Sequence, residues 1–433
     1  MIDYKKQIDK KVTISGFAEK IRNLQWVQFI VLRNEGERIQ ITIEKSEEKN
    51  SDMVKLVDTL TCESTIKVTG TIKENEHVKM GGIELIPEKI EVTSLSEAEL
   101  PINIFDKTLA NIDTRMDNRF LDLRNDVNWY INRVQTEFVR GMRNYLYEND
   151  FTEIHTPKLI GAASESGSEV FEVNYFENKA YLAQSPQFYK QMAIAAGYER
   201  VFEVAPAFRA ENSNTNRHAT EFTSFDIEFA NINSYEDVMA VEEELLISGL
   251  SAVKEKYGDK IKELYNVDVV IPTRPFPRIK LQDLYKELEK RYGYKVPEHD
   301  IGDMNAETEK LTSRFAMEEY GHEFIFVTDY GTAKRPFYHM RKDGVPQGYD
   351  LIWKGTEITS GSQREHRYDV LESQAKEKRL GDDIKFYKDF FKYGCPPHGG
   401  FALGIDRLTM LLLGLPSLKE TMFIFRGPNR LTP

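Results

Sequence analysis

Alternating apolar and polar residues mark the first fifth of the chain. Between residues 11 and 93, short segments such as Val12-Thr-Ile-Ser and Ile39-Gln-Ile-Thr-Ile repeat with a period of two. This pattern predicts five short strands, with a helix over residues 51–59 between the third and the fourth. Five strands and one such helix indicate a small Greek-key barrel of the OB type, although a generic small β domain fits the pattern equally well.

Later segments repeat every three and four residues, which is typical of helices. Residues 234–257 and 281–292 carry this period, whereas residues 95–116 are polar, lack a sustained period and predict a linker. One apolar stripe predicts a helix that ends near residues 149–150, and its members are Ile131, Val134, Phe138, Met142, Tyr145 and Leu146.

A polar loop separates two apolar runs between residues 201 and 229. Residues 212–216 read Asn-Ser-Asn-Thr-Asn, which are strong turn formers, and residues 222–229 alternate apolar with polar side chains. The pattern predicts a hairpin with arginine, histidine and acidic side chains on one face. Taken alone, such a charge cluster is more often a solvated surface than a binding site.

A second segment favours a binding site over a solvated surface as the interpretation of the charged hairpin. Gly399-Gly-Phe-Ala-Leu-Gly-Ile-Asp-Arg predicts a strand that runs into an apolar helix, with glycines that allow close approach of a ligand or backbone. A third segment, Phe151-Thr-Glu-Ile-His-Thr-Pro, follows the helix that ends near residue 149. In this order, the three segments resemble motif 1, the hairpin motif 2 and motif 3 of class II aminoacyl-tRNA synthetases, over nearly the whole chain.

The resemblance implies an α+β fold with an N-terminal OB-fold barrel and a class II antiparallel-sheet catalytic domain flanked by helices. The expected boundaries are 1–97 for the barrel, 98–124 for a linker and 125–433 for the catalytic domain, with a small insertion at about 234–325. Motif 1 implies a homodimer. The compact insertion is similar to that of the archaeal and eukaryotic branch of the aspartyl enzymes.

The resemblance also implies an ATP site. Arg209 would contact the α-phosphate and the substrate carboxylate, a task that suits a planar bidentate donor. Arg407 would lie near adenine and reach the γ-phosphate. The remaining expected ATP contacts are Glu211, Arg217, His218, Phe222 and Glu357, and the expected catalytic residues are Arg209, Glu211 and Arg407.

The segment Gly355-Thr-Glu-Ile-Thr-Ser-Gly-Ser-Gln-Arg implies a metal site. Glu357 and Ser360 resemble the family's magnesium pair, and oxygen ligands suit Mg²⁺, which usually takes one or two carboxylates together with phosphates. Without the family register, this segment would be only a strand with one exposed acid.

Tyr181-Leu-Ala-Gln-Ser-Pro-Gln-Phe-Tyr-Lys resembles the amino-acid site of the aspartyl enzymes. Lys190 and Arg364 would hold the substrate's β-carboxylate, and a buried lysine without an anion would be costly, so the pocket is expected to prefer aspartate to asparagine. The other expected aspartate-binding residues are Glu165, Gln187, Asp226 and Ser360.

The barrel is expected to bind the anticodon through Phe29, Gln40 and Glu84, by stacking and side-chain hydrogen bonds. Phe17 and Glu19 depart from the family pattern, and Glu19 is expected to influence base reading. Ala402 and Asp406 replace the glycine and glutamate that are common in motif 3, and residues 424–426 are also atypical.

Composition limits the other possibilities. The two cysteines, Cys62 and Cys395, lie in unrelated contexts, so neither a disulfide nor a structural zinc is expected. No apolar run reaches membrane-spanning length and no signal-peptide pattern is present, so a cytoplasmic protein without a membrane partner is expected. The net charge of −12 disfavours a nucleic-acid binder unless a local basic stripe compensates.

The sequence therefore predicts an enzyme that uses ATP and Mg²⁺ to join L-aspartate to tRNA(Asp). It leaves open whether tRNA(Asn) is charged as well. Three alternatives stay open: an asparaginyl enzyme, a paralogue that forms an amide without tRNA, and a nucleic-acid-binding regulator with an inactive synthetase domain. Lys190 disfavours the asparaginyl enzyme, and the apparently complete barrel disfavours the amide-forming paralogue.

Overall fold

The computed structural model describes residues 3–105, 110–161, 169–213, 215–381 and 384–433. The chain divides into two units, Met1–Tyr130 and Ile131–Pro433. The elements of the first unit are β1 (Lys11–Asn23), β2 (Val27–Asn34), β3 (Glu37–Glu44), α1 (Ser51–Asp58), β4 (Thr65–Glu74), β5 (Ile83–Ser94), α2 (Ile112–Asp117) and α3 (Arg119–Asp122).

The first unit contains a closed barrel of five strands in the order β1-β2-β3-β5-β4. Alternate residues of β2 and β3 point inward, and Ile30, Leu32, Ile39 and Ile41 are completely buried. Because side chains of a strand alternate between its faces, the period of two in the sequence becomes one apolar and one polar barrel face. The predicted OB-type barrel with a helix between its third and fourth strands is confirmed.

The segment predicted as a linker, residues 98–124, contains α2 and α3. An ion cluster holds these helices: Arg115 donates from Nε to Asp122 at 2.8 Å, Arg119 pairs with the same carboxylate, and all three side chains are buried. These helices are too short to show a helical period in the sequence, and they are held by this buried charge cluster together with a small apolar cluster of Ile102, Ile104 and Leu121.

The second unit begins within the long helix α4 (Asp126–Glu148). Its β-strands are β6 (Thr152–Glu153), β7 (Leu159–Ile160), β8 (Glu172–Tyr175), β9 (Asn178–Leu182), β10 (Arg200–Phe208), β11 (Glu221–Ala230), β12 (Arg278–Lys280), β13 (Phe324–Thr328), β14 (Arg341–Lys342), β15 (Val345–Pro346), β16 (Gly348–Trp353), β17 (Thr356–Gln363) and β18 (His398–Gly404). Its further helices are α5 (Gln187–Ala195), α6 (Tyr235–Tyr265), α7 (Leu281–Tyr292), α8 (Ala306–Tyr320), α9 (Tyr368–Glu377), α10 (Lys385–Asp389), α11 (Ile405–Leu413) and α12 (Leu418–Thr421).

One eight-stranded sheet organises the second unit, in the order β12-β13-β16-β17-β18-β11-β10-β6. Its six central strands pair antiparallel, which confirms the predicted α+β class. The predicted hairpin is β10-β11, with Phe208 opposite Glu221, and the glycine-spaced segment is β18 followed by α11. These two motifs, distant in sequence, therefore become neighbouring strands.

The segment predicted as an insertion, residues 234–325, belongs physically to this sheet. Its strands β12 and β13 form one edge, where β13 pairs with β16. Apolar residues of α7 and α8, among them Leu284, Leu288 and Phe315, pack with Ile325 and Val327 of β13. No helix among the described residues is both long enough and apolar enough to cross a membrane.

Helix α6 starts with a reciprocal cap that offers a test of local stability. Ser234 accepts a hydrogen bond from the Glu236 backbone N–H, and Asp237 accepts from the Ser234 backbone N–H. We expect Ser234→Ala to lower the free energy of unfolding of the second unit by about 1 kcal/mol, because orphan N–H groups lose their acceptor.

The measurement is urea unfolding followed by circular dichroism. Ser251→Ala, at an exposed position inside the same helix, is the matched control and should leave stability unchanged or slightly higher. Equal effects of the two substitutions would contradict the capping role.

Candidate active site

A cavity of about 310 Å³ opens on the face of the eight-stranded sheet. Its walls come from β11, β17, β18 and the hairpin loop, together with residues just before β14. Eleven of the residues predicted from the sequence line it: Gln187, Arg209, Glu211, Arg217, His218, Phe222, Asp226, Glu357, Ser360, Arg364 and Arg407. The structure thus gathers the predicted ATP, metal and amino-acid groups around a single space.

The mouth of the hairpin carries loosely held charges. The Arg209 guanidinium lies 5.3 Å from the centre of the Phe222 ring and 3.8 Å from the Glu211 carboxylate. His218 lies 3.7 Å from the same carboxylate. These side chains are partly exposed and their ion pairs with Glu211 are long, so the ion pairs contribute little free energy, although the Thr215 hydroxyl lies 2.5 Å from His218 Nδ1. They are free to exchange these partners for an anionic ligand.

Glu309 of α8 connects the hairpin to β17. Its Oε2 accepts from Arg217 Nη1 at 3.0 Å and from the Glu357 backbone N–H at 3.1 Å. Arg407 donates to the Glu357 carbonyl at 2.8 Å. Two arginines expected to bind phosphates therefore converge on the same residue of β17, and a carboxylate from the predicted insertion holds one of them.

A β-bulge brings the predicted metal ligands together. Residues three apart in a regular strand point to opposite faces, but β17 carries one extra residue: Ile352 pairs with Glu357 and Leu351 pairs with Thr359, which leaves Ile358 between them. Glu357 and Ser360 consequently both line the cavity.

The nearby arginines compensate the negative charge of Glu357 only in part. Burial raises its pKa to about 8, and repulsion from Asp350 and Glu309 adds to the rise against the attraction of Arg407. Asp350 itself is neutralised by Arg335, which donates to both carboxylate oxygens at 2.8 and 2.7 Å and also to Ser360 Oγ at 2.9 Å.

This donor set fits a magnesium ion. Glu357 is half-buried, and a carboxylate with a raised pKa in such a position is stabilised as an anion by a nearby divalent cation. Among the described residues no group of three or more His, Cys, Asp or Glu side chains forms a metal cage. Magnesium does not need one, because it is commonly held by one or two carboxylates together with substrate phosphates and water.

Four charged side chains form a buried network at the inner end of the cavity. Lys190 lies 3.0 Å from Asp226 and 3.5 Å from Glu228, and Arg364 donates to both oxygens of Glu228 at 2.9 and 3.2 Å. Burial opposes ionisation of Glu228, but Arg364 and Lys190 outweigh it and hold the pKa of this carboxyl below its ordinary value. Two cations thus face two anions.

This network corrects one premise of the sequence analysis. Lys190 was expected to lack an anion, and it has two, supplied by alternate residues of β11. It is completely buried and is not among the described residues that line the cavity. Preference for a carboxylate substrate therefore does not follow from an unpaired lysine.

Gly400 provides the space for this network. A Cβ at this position would lie 2.1 Å from the Ile227 carbonyl oxygen and 2.5 Å from Glu228 Oε2. Arg364 also donates to the Gly400 carbonyl at 2.9 Å. The glycine pair at the start of β18 is thus required by close approach of a strand and a carboxylate.

A chain of oriented amides leads away from Arg364. Gln187 accepts from Arg364 through Oε1 at 3.3 Å and donates from Nε2 to Gln191 Oε1 at 3.0 Å. The Gln191 amide nitrogen lies 2.9 Å from His398 Nε2, so this ring nitrogen accepts and the proton resides on Nδ1, which donates to Pro396 O at 2.8 Å. Burial lowers the pKa of His398 to about 4, consistent with a neutral ring.

Asp406, one of the atypical residues of motif 3, is buried in the wall of the cavity. It accepts from Gln135 Nε2 of α4 at 3.0 Å and from the Thr223 backbone N–H at 3.4 Å. Burial raises its pKa. Ala402 lies on β18 between Asp226 and Ser360 in register. The shorter acid therefore still ties α11 to α4 and β11.

Several groups at the site escaped the sequence analysis, and one predicted group cannot be placed. Glu165 lies outside the described residues. The missed residues are Glu228, Glu309, Arg335, His339 and Asp350. Only Glu228 had a recognisable signal, because it follows Asp226 by two residues and must share its strand face.

The predicted base-reading residues share one face of the barrel. Phe29 is opposite Thr42, and Gln40 is opposite Glu84. Glu84 accepts from Asn75 at 2.8 Å and from the Thr42 hydroxyl, which fixes its carboxylate. Exposed Arg22 is opposite Phe29 on the neighbouring strand β1. An aromatic ring, an amide, a fixed acid and a cation on one face suit a single-stranded nucleic acid.

Glu19 is held by two arginines of the barrel. It is buried and lies 3.3 Å from Arg33 and 2.8 Å from Arg38. Both arginines alternate along their strands with the inward-facing residues Leu32 and Ile39, so they lie on the outer face that also carries Phe29 and Gln40. The expected influence of Glu19 on base reading stays a prediction.

Two sequence families match the chain. Residues 111–425 match the family described as tRNA synthetases class II (D, K and N), and residues 12–93 match the family described as OB-fold nucleic acid binding domain. Together these matches cover both units.

Curated relatives and solved structures are similar to the chain over nearly its full length. The chain is 39% identical to an aspartate–tRNA(Asp) ligase of Pyrococcus furiosus, over 98% of this chain and 96% of that protein. It is 41% identical to an aspartate–tRNA(Asp/Asn) ligase of Methanopyrus kandleri, with the same coverage. An aspartyl-tRNA synthetase structure from Entamoeba histolytica superposes with a TM-score of 0.87 at 32% identity, covering 99% of this chain and 91% of that one. The asparaginyl-tRNA synthetase of Pyrococcus horikoshii with asparaginyl-adenylate gives 0.88 at 30% identity, covering 99% and 97%.

The raised pKa of Glu357 predicts a pH-dependent stability. Because its folded-state pKa of about 8 exceeds the ordinary value of 4.5, the folded protein binds more protons than the unfolded chain between these values. The free energy of unfolding should therefore fall as pH rises across this interval, and Glu357→Gln should reduce that fall.

Urea unfolding of metal-free protein at pH 5, 7 and 9 measures this effect. Glu307→Gln, which changes an exposed carboxyl on α8, is the control. A variant Glu357→Gln whose curve remains parallel to that of the wild type would contradict the assignment.

Proposed function

The chain belongs to the class II tRNA synthetases of the D, K and N group, and from this premise we propose that it ligates L-aspartate to tRNA(Asp). The supporting observation is similarity of about 40% identity, along nearly the whole chain, to proteins named aspartate–tRNA ligases. Structural neighbours also include an asparaginyl-tRNA synthetase. Because aspartyl and asparaginyl enzymes have a similar fold, this structural similarity does not decide between aspartate and asparagine as the substrate. Relatives named for both tRNAs leave charging of tRNA(Asn) open.

In the proposed first step, the α-carboxylate of aspartate attacks the α-phosphorus of ATP. A new carboxyl oxygen–phosphorus bond forms, the bond to the bridging oxygen breaks, and pyrophosphate leaves with the electron pair. Arg209 lies at the mouth of the cavity, where its planar guanidinium can bind one oxygen of each reactant. Such positioning and charge neutralisation supply most of the rate enhancement in phosphoryl chemistry.

Arg217, His218 and Arg407 are proposed to bind the β- and γ-phosphates. Arg217 would exchange the Glu309 carboxylate for phosphate oxygens. Glu357 and Ser360 would hold Mg²⁺, which neutralises phosphate charge when bound. Phe222 and Glu211 would contact adenine.

In the second step, a terminal hydroxyl of tRNA attacks the activated carbonyl and AMP leaves. The barrel is proposed to bind the anticodon through Phe29, Gln40 and Glu84. Formation of a homodimer through α4 and a cytoplasmic location remain predictions from the family resemblance.

ATP–pyrophosphate exchange with purified protein tests the proposed substrate. Aspartate should support exchange and asparagine should not. Exchange with asparagine alone would identify the asparaginyl alternative, and exchange with neither amino acid would support the inactive regulator. Charging of tRNA(Asp) and tRNA(Asn) transcripts then separates a tRNA ligase from a paralogue that forms an amide without tRNA.

Arg209 provides a test of the proposed chemical step. We expect Arg209→Ala to reduce exchange by roughly 100-fold or more, because the charge that develops between carboxylate and α-phosphate loses its bidentate partner. Arg200→Ala, at the opposite end of the same strand β10, is the matched control and should retain activity. Retained exchange in Arg209→Ala would exclude this role.

Phe29 provides a test of the barrel. We expect Phe29→Ala to leave exchange unchanged and to lower kcat/KM for tRNA charging by roughly tenfold or more, because one stacked base loses its aromatic partner. Phe29→Tyr retains the ring and should charge tRNA normally. Loss of exchange in Phe29→Ala would contradict this division of tasks.

A further inference from the structure

His339 lines the cavity but has no role in the mechanism described above. It is only 3% exposed and lies between Tyr338 and the start of β14. Its backbone forms an isolated bridge with Arg364, and its carbonyl accepts from Gln374 at 3.0 Å. The backbone of His339 is therefore fixed beside Arg364, whose guanidinium acts electrostatically on the ring and is expected to meet the substrate's side chain.

The two ring nitrogens of His339 have different surroundings. Nδ1 is enclosed and has no hydrogen-bond partner among the described residues. It faces β16, where a Cβ added to Gly348 would lie 2.9 Å away. Burial lowers the pKa of His339 well below its ordinary value, and Arg364 and Arg335 lower it further, so the ring is neutral.

A neutral imidazole has one N–H and one bare nitrogen. A buried N–H without an acceptor is costlier than a bare nitrogen without a donor, so the proton belongs on Nε2 rather than on enclosed Nδ1. Because Nδ1 faces the glycine of β16 while the ring borders the cavity, the Nε2–H group is the part available to a ligand.

The two neighbouring cations, Lys190 and Arg364, are already paired with protein groups, so selection of a carboxylate requires a further hydrogen-bond donor. Lys190 is paired with Asp226 and Glu228. Arg364 donates to Glu228, to Ser362 Oγ at 2.7 Å and to two further protein oxygens. The network therefore carries no net charge, and this alone does not distinguish a carboxylate from an amide.

We propose that His339 is a specificity-determining residue that donates a hydrogen bond from Nε2–H to the side-chain carboxylate of the amino-acid substrate. This inference rests on the proposed aspartate ligase activity and identifies a group that selects its substrate. A carboxylate accepts at both oxygens, so it satisfies donors from Arg364 and His339 together. An asparagine amide turns its NH₂ group towards one of these donors, which leaves two donors face to face.

Three substitutions separate the hydrogen bond from packing. Glutamine places an amide N–H near the position of His Nε2, asparagine places one near Nδ1, and leucine has none. In ATP–pyrophosphate exchange, we expect His339→Asn and His339→Leu to raise KM for aspartate by roughly tenfold or more while KM for ATP stays unchanged. His339→Gln should stay within about threefold of the wild type.

The preference for aspartate over asparagine should fall in all three variants. In His339→Gln the reason differs, because its amide can turn and accept from the asparagine NH₂ group. Equal KM values for aspartate in the wild type and His339→Leu would overturn the proposal. So would equal losses in the glutamine, asparagine and leucine variants, since these would indicate a packing role of the ring.

A measurement on the unsubstituted protein covers the case in which the variants fold poorly. Nitrogen-15 NMR of histidine-labelled enzyme at pH 7 should show His339 neutral with the proton on Nε2, and aspartate should shift that resonance. A proton on Nδ1, or a charged ring, would overturn the proposal. Wild-type protein that shows no exchange with aspartate would refute the proposed function itself, whereas active wild type with an unaffected leucine variant would refute only the role of His339.

Discussion

The mutual burial of Lys190, Asp226, Glu228 and Arg364 is the constraint on which the catalytic unit depends. Each charge alone would be strongly unfavourable inside the protein, and removal of one partner leaves an uncompensated charge worth about 3–5 kcal/mol. The four side chains come from α5, from β11 and from the residue after β17. Their contacts therefore fix the position of α5 relative to β11 and β17.

This arrangement also positions groups that take no part in the ion pairs. Asp226 is opposite Ala402, which is opposite Ser360, so the inner network and the metal-binding end are linked across β11, β18 and β17. The same network orients Gln187 through Arg364. At the mouth, by contrast, the ion pairs of Arg209 and His218 with Glu211 are long, at 3.8 and 3.7 Å. The site is thus rigid where the amino acid is expected and adaptable where phosphates are expected.

Periodic features of the fold could be read from the sequence, and interruptions of the period could not. The barrel strands, the α4 stripe and the β10-β11 hairpin repeat regularly, and each was found where the pattern placed it. The bulge in β17 is such an interruption, because it brings Glu357 and Ser360 to one face of the strand, and the family resemblance had paired these residues without a geometric reason.

Long-range partners were the second limit. Glu309, Arg335 and Asp350 stand in unrelated local contexts, and only the assembled sheet makes them neighbours of Glu357. The ion pairs of Lys190 were missed for the same reason, because its anions, Asp226 and Glu228, lie more than thirty positions away on β11.

The space at Gly400 has a consequence for how such a pocket can change over evolutionary time. Any side chain at residue 400 meets both the Ile227 carbonyl and the Glu228 carboxylate, and a shorter residue at 228 would strand Arg364. Single substitutions at either position therefore pass through a damaged intermediate. Residues 228, 364 and 400 are therefore expected to change together or not at all. Substrate preference within this fold can diverge more easily through residues at the edge of the pocket than through its buried charged network.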